Sequence, residues 1–164
     1  MQTRLQIKTR IQLGIIFVLA ILCLSLILSQ KANPDFPPLF NLKRLQENFF
    51  LKLKSSPAQK VEYMSSLLDS RLIEIQNIIN DQSYSDMLTT SLRYSTQAGK
   101  ITDLIIANNL TDKVNPAKNQ FMDHRKFLYA LYVAYPKNTD NVEYKYIEDD
   151  INYLNLYLDK LSKI

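Results

Sequence analysis

Glycine is nearly missing from this chain: there are 2 in 164 residues, Gly14 and Gly99. That scarcity leaves no glycine-rich phosphate loop and no Gly-x-Ser-x-Gly nucleophile elbow. Cysteine is as scarce. A single Cys23 excludes an intramolecular disulfide and any Cys-x-x-Cys redox or zinc motif. A single histidine, His124, leaves triad and metal chemistry short of partners. A di-iron Glu-x-x-His site, for example, would need an acid where Phe121 stands. Acids are missing from the first ten residues, which carry Arg4, Lys8 and Arg10. Long β-branched runs are scarce, and Leu, Ile, Lys, Asn and Tyr are abundant. These absences point to an all-α protein without a catalytic, metal or cofactor site.

The net charge of +4 does not make a nucleic-acid trap. Without the three basic residues of the first ten, 17 basic residues face 16 acidic ones. The excess is a property of the short arm, not of the body of the chain.

What is present begins with Ile11 to Leu28, an apolar run broken only by Gln12, Gly14 and Ser25. As a helix it rises about 27 Å, close to the hydrocarbon thickness of a bilayer. A cleaved signal peptide would need small residues at a cleavage site after a shorter run, and the chain continues Leu26-Ile27-Leu28-Ser29-Gln30-Lys31-Ala32 with no clean Ala-x-Ala pattern. A lipoprotein signal would need a small residue before Cys23, where Leu22 stands. The run is expected to be an uncleaved signal anchor contacting membrane lipid. The basic arm then stays cytoplasmic and residues 30–164 lie outside. The expected organisation is a basic arm (1–10), an anchor (11–29), a proline-rich linker (30–38) and a helical domain (39–164). The last is long enough to bury one core.

In the linker, Pro34, Pro37 and Pro38 oppose helix and favour a semi-rigid spacer. A short amphipathic helix is predicted over 39–54, its apolar stripe being Leu42, Leu45, Phe49 and Leu53. Ser56-Pro57-x-Gln59 reads as a capped helix start. The helix after it runs to about residue 81 on Val61, Met64, Leu68, Leu72, Ile75 and Ile79. A further helix over 84–109 carries Met87, Ser91, Tyr94, Ala98, Ile101 and Ile105. Asn115-Pro116 is expected to open the next, ending at Tyr135 before Pro136. Asp140-x-x-Glu143 is a capping-box candidate for a last helix on Ile147, Ile151, Leu154, Leu158 and Leu161. Stripes at steps of three and four are those of helix seams, as in coiled coils. Short connections predict an antiparallel bundle of about four helices.

Pro38-Leu39-Phe40-x-Leu42-Lys43-Arg44-x-x-Glu47 is followed by Ser56-Pro57 and by Leu67-Leu68-x-x-Arg71-Leu72-x-Glu74. This order resembles a bacterial family of unknown function found just outside a single N-terminal membrane segment. The resemblance covers residues 34–80, with Phe40 where Tyr is usual and without the glycine that often precedes the motif. It implies a bacterial, membrane-anchored, extracytoplasmic helical domain, and no activity.

Among candidate functional residues, Lys43 and Arg44 suit lipid headgroups or a solvated surface. Nine of the 10 tyrosines fall between Tyr84 and Tyr157. Tyr129, Tyr132, Tyr135, Tyr146, Tyr153 and Tyr157 recur at helical spacing, which suits either a partner surface or the boundary of a core. His124 stands three after Phe121 and four before Leu128, a spacing that allows it to face the seam, and a structural or surface role is expected of it. Glu148-Asp149-Asp150 reads as a solvated helix face, since a calcium loop would interleave glycine. Asn109-Leu110-Thr111 matches a glycosylation acceptor, an accidental match in a bacterial chain. The leading functional expectation is an envelope interaction or scaffold module, with a protein partner or a second copy on the helical seams. The alternative is a sensory module that relays through the anchor, for which the ten-residue arm is too short to fold alone.

Overall fold

A computed structural model describes residues 37–137 and 142–164 throughout, and residues 12–14, 16, 17, 20, 21, 24 and 25 ahead of them. The described residues form helices and turns, with no strand among them. The arm, the linker as far as residue 36, half of the apolar run and Asp140 lie outside the described residues. Those of the run that are described are helical. Among the described residues no helix is long and apolar enough to cross a membrane. The chain divides into two compact units, Met1–Phe50 and Leu51–Ile164.

The first unit contains most of α1 (Pro37–Leu53). Its inward face differs from the expected stripe. Phe40, Lys43 and Glu47 are buried, whereas Leu45, Phe49 and Leu53 are 66, 58 and 61% exposed. The helix has two apolar lines, and the one through Phe40 faces inward. Lys43 and Glu47 share that line at i+3 and i+7 and go in with it. Gln46 Nε2 donates to Ser25 Oγ at 3.4 Å on the same side.

The second unit holds α2 (Pro57–Asn80), a 3-10 turn (Tyr84–Asp86), α3 (Met87–Ala107), α4 (Thr111–Ala134) and α5 (Tyr144–Leu161). The start of α2 is built as its sequence predicts. Ser56 Oγ accepts from the Gln59 amide at 3.2 Å, with Pro57 at the first helical position. Gln59 Oε1 in turn accepts from the Ser55 amide at 3.1 Å, so the box closes one residue early.

The ends of α2 and α3 explain how the chain manages with so little glycine. Gln82 (φ 58°) and Asn109 (φ 51°) take the left-handed position one beyond the cap. After α2, Ser83 N bonds Ile78 O at 3.0 Å and Gln82 N bonds Ile79 O at 3.3 Å. After α3, Leu110 N bonds Ile105 O at 3.0 Å and Asn109 N bonds Ile106 O at 3.2 Å. Both are Schellman motifs with a side chain where glycine is usual. This stop is what separates α2 from α3 around residues 82–83.

α4 starts at Thr111, ahead of the expected Asn115-Pro116, and Pro116 lies inside it. The Schellman turn delivers Leu110 and Val114 to the core, and their packing draws the helix start upstream. Pro116 forgoes one hydrogen bond near the helix beginning, where the loss is smallest.

Side-chain pairs across the helices give their directions. Glu74–Arg93 and Met64–Gln97 make α2 and α3 antiparallel. Arg125–Asn155 and Tyr132–Tyr144 do the same for α4 and α5. Ser91–Tyr146 and Gly99–Tyr157 show that α3 and α5 run parallel. Glu62–Lys113 and Asp69–His124 make α2 and α4 parallel as well. The unit is therefore two antiparallel helix pairs, α2–α3 and α4–α5, docked mainly through α3 and α5. The α3–α4 turn crosses between the pairs, where a simple up-and-down cycle would have kept α3 and α4 as close neighbours.

The core is the expected stripes of α2, α3 and α5, completed by Ile78, Ala117, Phe121, Leu128 and Tyr135. Ile79, Ile151 and Leu158 are only partly buried at its edge.

Candidate functional site

The docked pairs enclose a column of polar side chains. His124 is 7% exposed and lies between α2 and α3. Its Nε2 is 2.9 Å from Asp69 Oδ1, and its Nδ1 is 3.0 Å from the Tyr94 hydroxyl. Gln120 Nε2 donates to the same Asp69 oxygen at 2.5 Å and to Ser65 O at 2.9 Å. Burial pulls the His124 pKa down, and the hydrogen bond and charge of Asp69, with Asp123, oppose it. A neutral imidazole fits both partners in one tautomer. Nε2–H donates to Asp69, and the Tyr94 hydroxyl donates to Nδ1.

Tyr94 is fully buried and stacked on the His124 ring. Burial, then the charges of Asp150 and Asp69, hold its hydroxyl pKa well above the ordinary phenol value. The Asp-His-Tyr line has the connectivity of a nucleophilic relay but the wrong end group. A closed-in phenol that resists ionisation neither attacks nor meets a substrate. What the line does is tie α4 to both α2 and α3.

Asp150 was expected on a solvated face with Glu148 and Asp149. Those two are exposed, but Asp150 is 1% exposed. It stands three after Ile147 and four before Leu154, both fully buried, so the core stripe of α5 carries it inward. Neither carboxyl oxygen has a hydrogen-bond partner. Ser91 and Ser95 face it, but their hydroxyls donate elsewhere, to Tyr146 O and Ser91 O at 3.0 Å each. Burial pushes its pKa up to about 8, the two serines pulling it down less than burial raises it. At neutral pH Asp150 is mostly a neutral acid.

The tyrosines expected as one surface divide. Tyr135 is buried in the core, its ring 5.3 Å from that of Tyr84 and 6.4 Å from that of Tyr144. Its membership of a partner surface is thereby corrected: it ends α4 on the inward side. Tyr132 sits between Tyr144 (6.0 Å) and Tyr129 (6.5 Å), with Lys137 Nζ 3.6 Å from its ring centre. Tyr129 is 60% exposed, and Val133, one turn on, 62%. From buried Tyr135, which also meets partly buried Tyr84, the series Tyr135–Tyr144–Tyr132–Tyr129 thus runs outward to the surface. Tyr146 is half-buried. Tyr153 is exposed and stacks on half-buried Tyr157, 6.1 Å away.

Lys43 is 9% exposed, so the expected headgroup contact is not open to it, while Arg44 is exposed. Arg71 and Glu74, the charged members of the family-like motif on α2, are buried too. Glu74 pairs with Arg93 at 3.3 Å, and Arg71 Nη1 donates to Leu67 O at 3.2 Å. Among the described residues no group of three His, Cys, Asp or Glu side chains is placed to hold a metal ion. Within the second unit, an open groove beside the start of α2 is lined by Leu53, Lys54, Ser55, Gln59, Glu62 and Tyr63. No protein-family model, curated protein or solved structure matches the chain.

Proposed function

We propose that this protein is a membrane-anchored, extracytoplasmic interaction module of the bacterial envelope. The uncharged run Ile11–Leu28 behind a basic arm supplies the anchor, and the family-like motif over residues 34–80 agrees with that placement. The observation that carries the interaction reading is the tyrosine series ending in exposed Tyr129 and Val133. Tyr129 presents a large amphipathic ring backed by Tyr132 and, through Tyr144, by buried Tyr135. A rigid aromatic surface loses little entropy on binding and is the usual make-up of a protein-binding hot spot.

The partner is a protein. A photo-crosslinking amino acid at position 129 or 133 in growing cells is expected to give an adduct of defined mass, absent when the same group is placed at exposed position 148. Equal adducts at all three positions, or none, would count decisively against the reading. Topology is tested separately. External protease is expected to digest residues 30–164 in intact cells, and protection there beside a digested external control would overturn the placement.

A further inference from the structure

We propose that the outward face of α1 lies against an anionic phospholipid bilayer beside the anchor, making α1 an interfacial helix. The proposal rests on the anchored reading above.

Leu45, Phe49 and Leu53 recur every four residues, so they form one line along α1, and each is more than half exposed. Helix positions of that kind ordinarily face a core. Here the core-facing side is already occupied by Phe40, Lys43 and Glu47. The charge on α1 is divided in the same sense. Its one acid, Glu47, is on the buried side, whereas Arg44 and Lys52 are exposed. The outward face is apolar and cationic, with two uncharged amides, Asn41 and Asn48, and no acid, which is the make-up of a helix lying in a headgroup layer.

The position of α1 fits that depth. Gln46 meets Ser25, and Ser25 stands three residues before the end of the apolar run at Leu28. Three residues are about 5 Å along a helix, which puts the meeting point near the outer boundary of a hydrocarbon layer that the run would span. The described apolar residues of the run in the same unit, Leu13, Ile16, Phe17, Ile21 and Leu24, are 51–67% exposed and need the same cover. A second copy of the chain covers the α1 face less well. Packing two such faces together sets Arg44 and Lys52 of one against those of the other, and like charges oppose it.

The test uses the full chain with Cys23→Ser, carrying a single cysteine at 45, 49 or exposed 148 labelled with an environment-sensitive fluorophore. It is reconstituted in vesicles of phosphatidylcholine with one quarter phosphatidylglycerol. The expected result is blue-shifted emission at 45 and 49, quenched by lipids with a shallow spin label about twofold or more beyond the label at 148. Arg44→Gln with Lys52→Gln, or vesicles of phosphatidylcholine alone, is expected to weaken that quenching. Labels at 45 and 49 as wet as at 148, in protein that resists alkaline extraction, would overturn the interfacial helix and leave the anchor standing. A blue shift without lipid quenching would overturn it in favour of a second copy. Extraction of the chain at alkaline pH would remove the anchored reading and this inference with it.

Discussion

Replacing Asp150 by Asn should stabilise the protein, by an amount that grows with pH. The side chain is 1% exposed, its carboxyl oxygens are without hydrogen-bond partners, and its pKa rises from 3.8 to about 8. Because the folded pKa is the higher one, the folded state holds a proton that the unfolded chain releases. Stability is therefore full below about pH 4 and falls through the interval up to about pH 8, by about 1.4 kcal/mol per unit. By pH 7 the loss is about 4 kcal/mol if nothing relaxes. Ser91 and Ser95 are close enough to turn their hydroxyls toward an ionised Asp150, at the expense of their present bonds, so we expect 2–4 kcal/mol, on the order of one strong buried interaction. Asparagine keeps the shape and cannot ionise, so it should recover that amount. For a unit of this size a gain of 1 kcal/mol raises Tm by about 4 °C, giving about 8–16 °C at pH 7. Thermal unfolding of the full chain in detergent, followed by circular dichroism from pH 4 to 9, reads this directly. The two proteins should converge near pH 4 and separate steadily to pH 8. Parallel curves, or a less stable Asp150→Asn at pH 7, would refute the assignment of Asp150 as a buried neutral acid.

His124 works in the opposite sense. Burial lowers its pKa, so its contribution to stability is present above about pH 6.5 and fades as pH falls below that value, and His124→Asn should flatten the acid side of the same melting profile. Tyr94→Phe removes the donor to a buried ring nitrogen and should cost about 1–3 kcal/mol, read as a lower Tm without loss of helix content. Gln82→Gly relieves a left-handed side chain and should stabilise by about 1 kcal/mol, whereas the same change at Ser83 should not. Gly99→Ala places a methyl group 2.7 Å from the Tyr157 hydroxyl oxygen and should destabilise by about 1 kcal/mol. In a Tyr157→Leu background the sign should reverse, because only the better helix propensity of alanine remains.

Much of the helical layout was legible because apolar stripes and caps are local signals. The α3 stripe from Met87 to Ile105 is buried throughout, and Ser56-Pro57 starts α2 where it should. Three features were not legible, each for a physical reason. On α1 two apolar lines compete, and nothing in the helix itself says that the one with Lys43 and Glu47 turns inward. The start of α4 is set by the Schellman turn before it, which needs a left-handed Asn109 that spacing does not reveal. The Asp69–His124–Tyr94 line joins residues 30 and 55 apart in sequence, so only the seam-facing side of His124 could be read in advance. Asp150 did leave a signal. It sits on the Ile147–Leu154 stripe, and the charges on either side of it disguised that position.

The docking of two helix pairs through a polar seam bears on the order in which the chain folds. Each pair closes with a short connection, at residues 81–86 in the first and 135–143 in the second, so each forms from contacts near in sequence. Such closures are fast. The slow event is then the meeting of the pairs, when Tyr94, His124, Asp150, Ser91 and Ser95 leave water together. A register error there parts His124 from Tyr94 and the Ser91 hydroxyl from Tyr146 O, whereas an error in a purely apolar seam would cost far less. The seam thus acts as a proofreading step late in folding. Substitutions in it should act mainly on the unfolding rate, and those inside either pair on the folding rate.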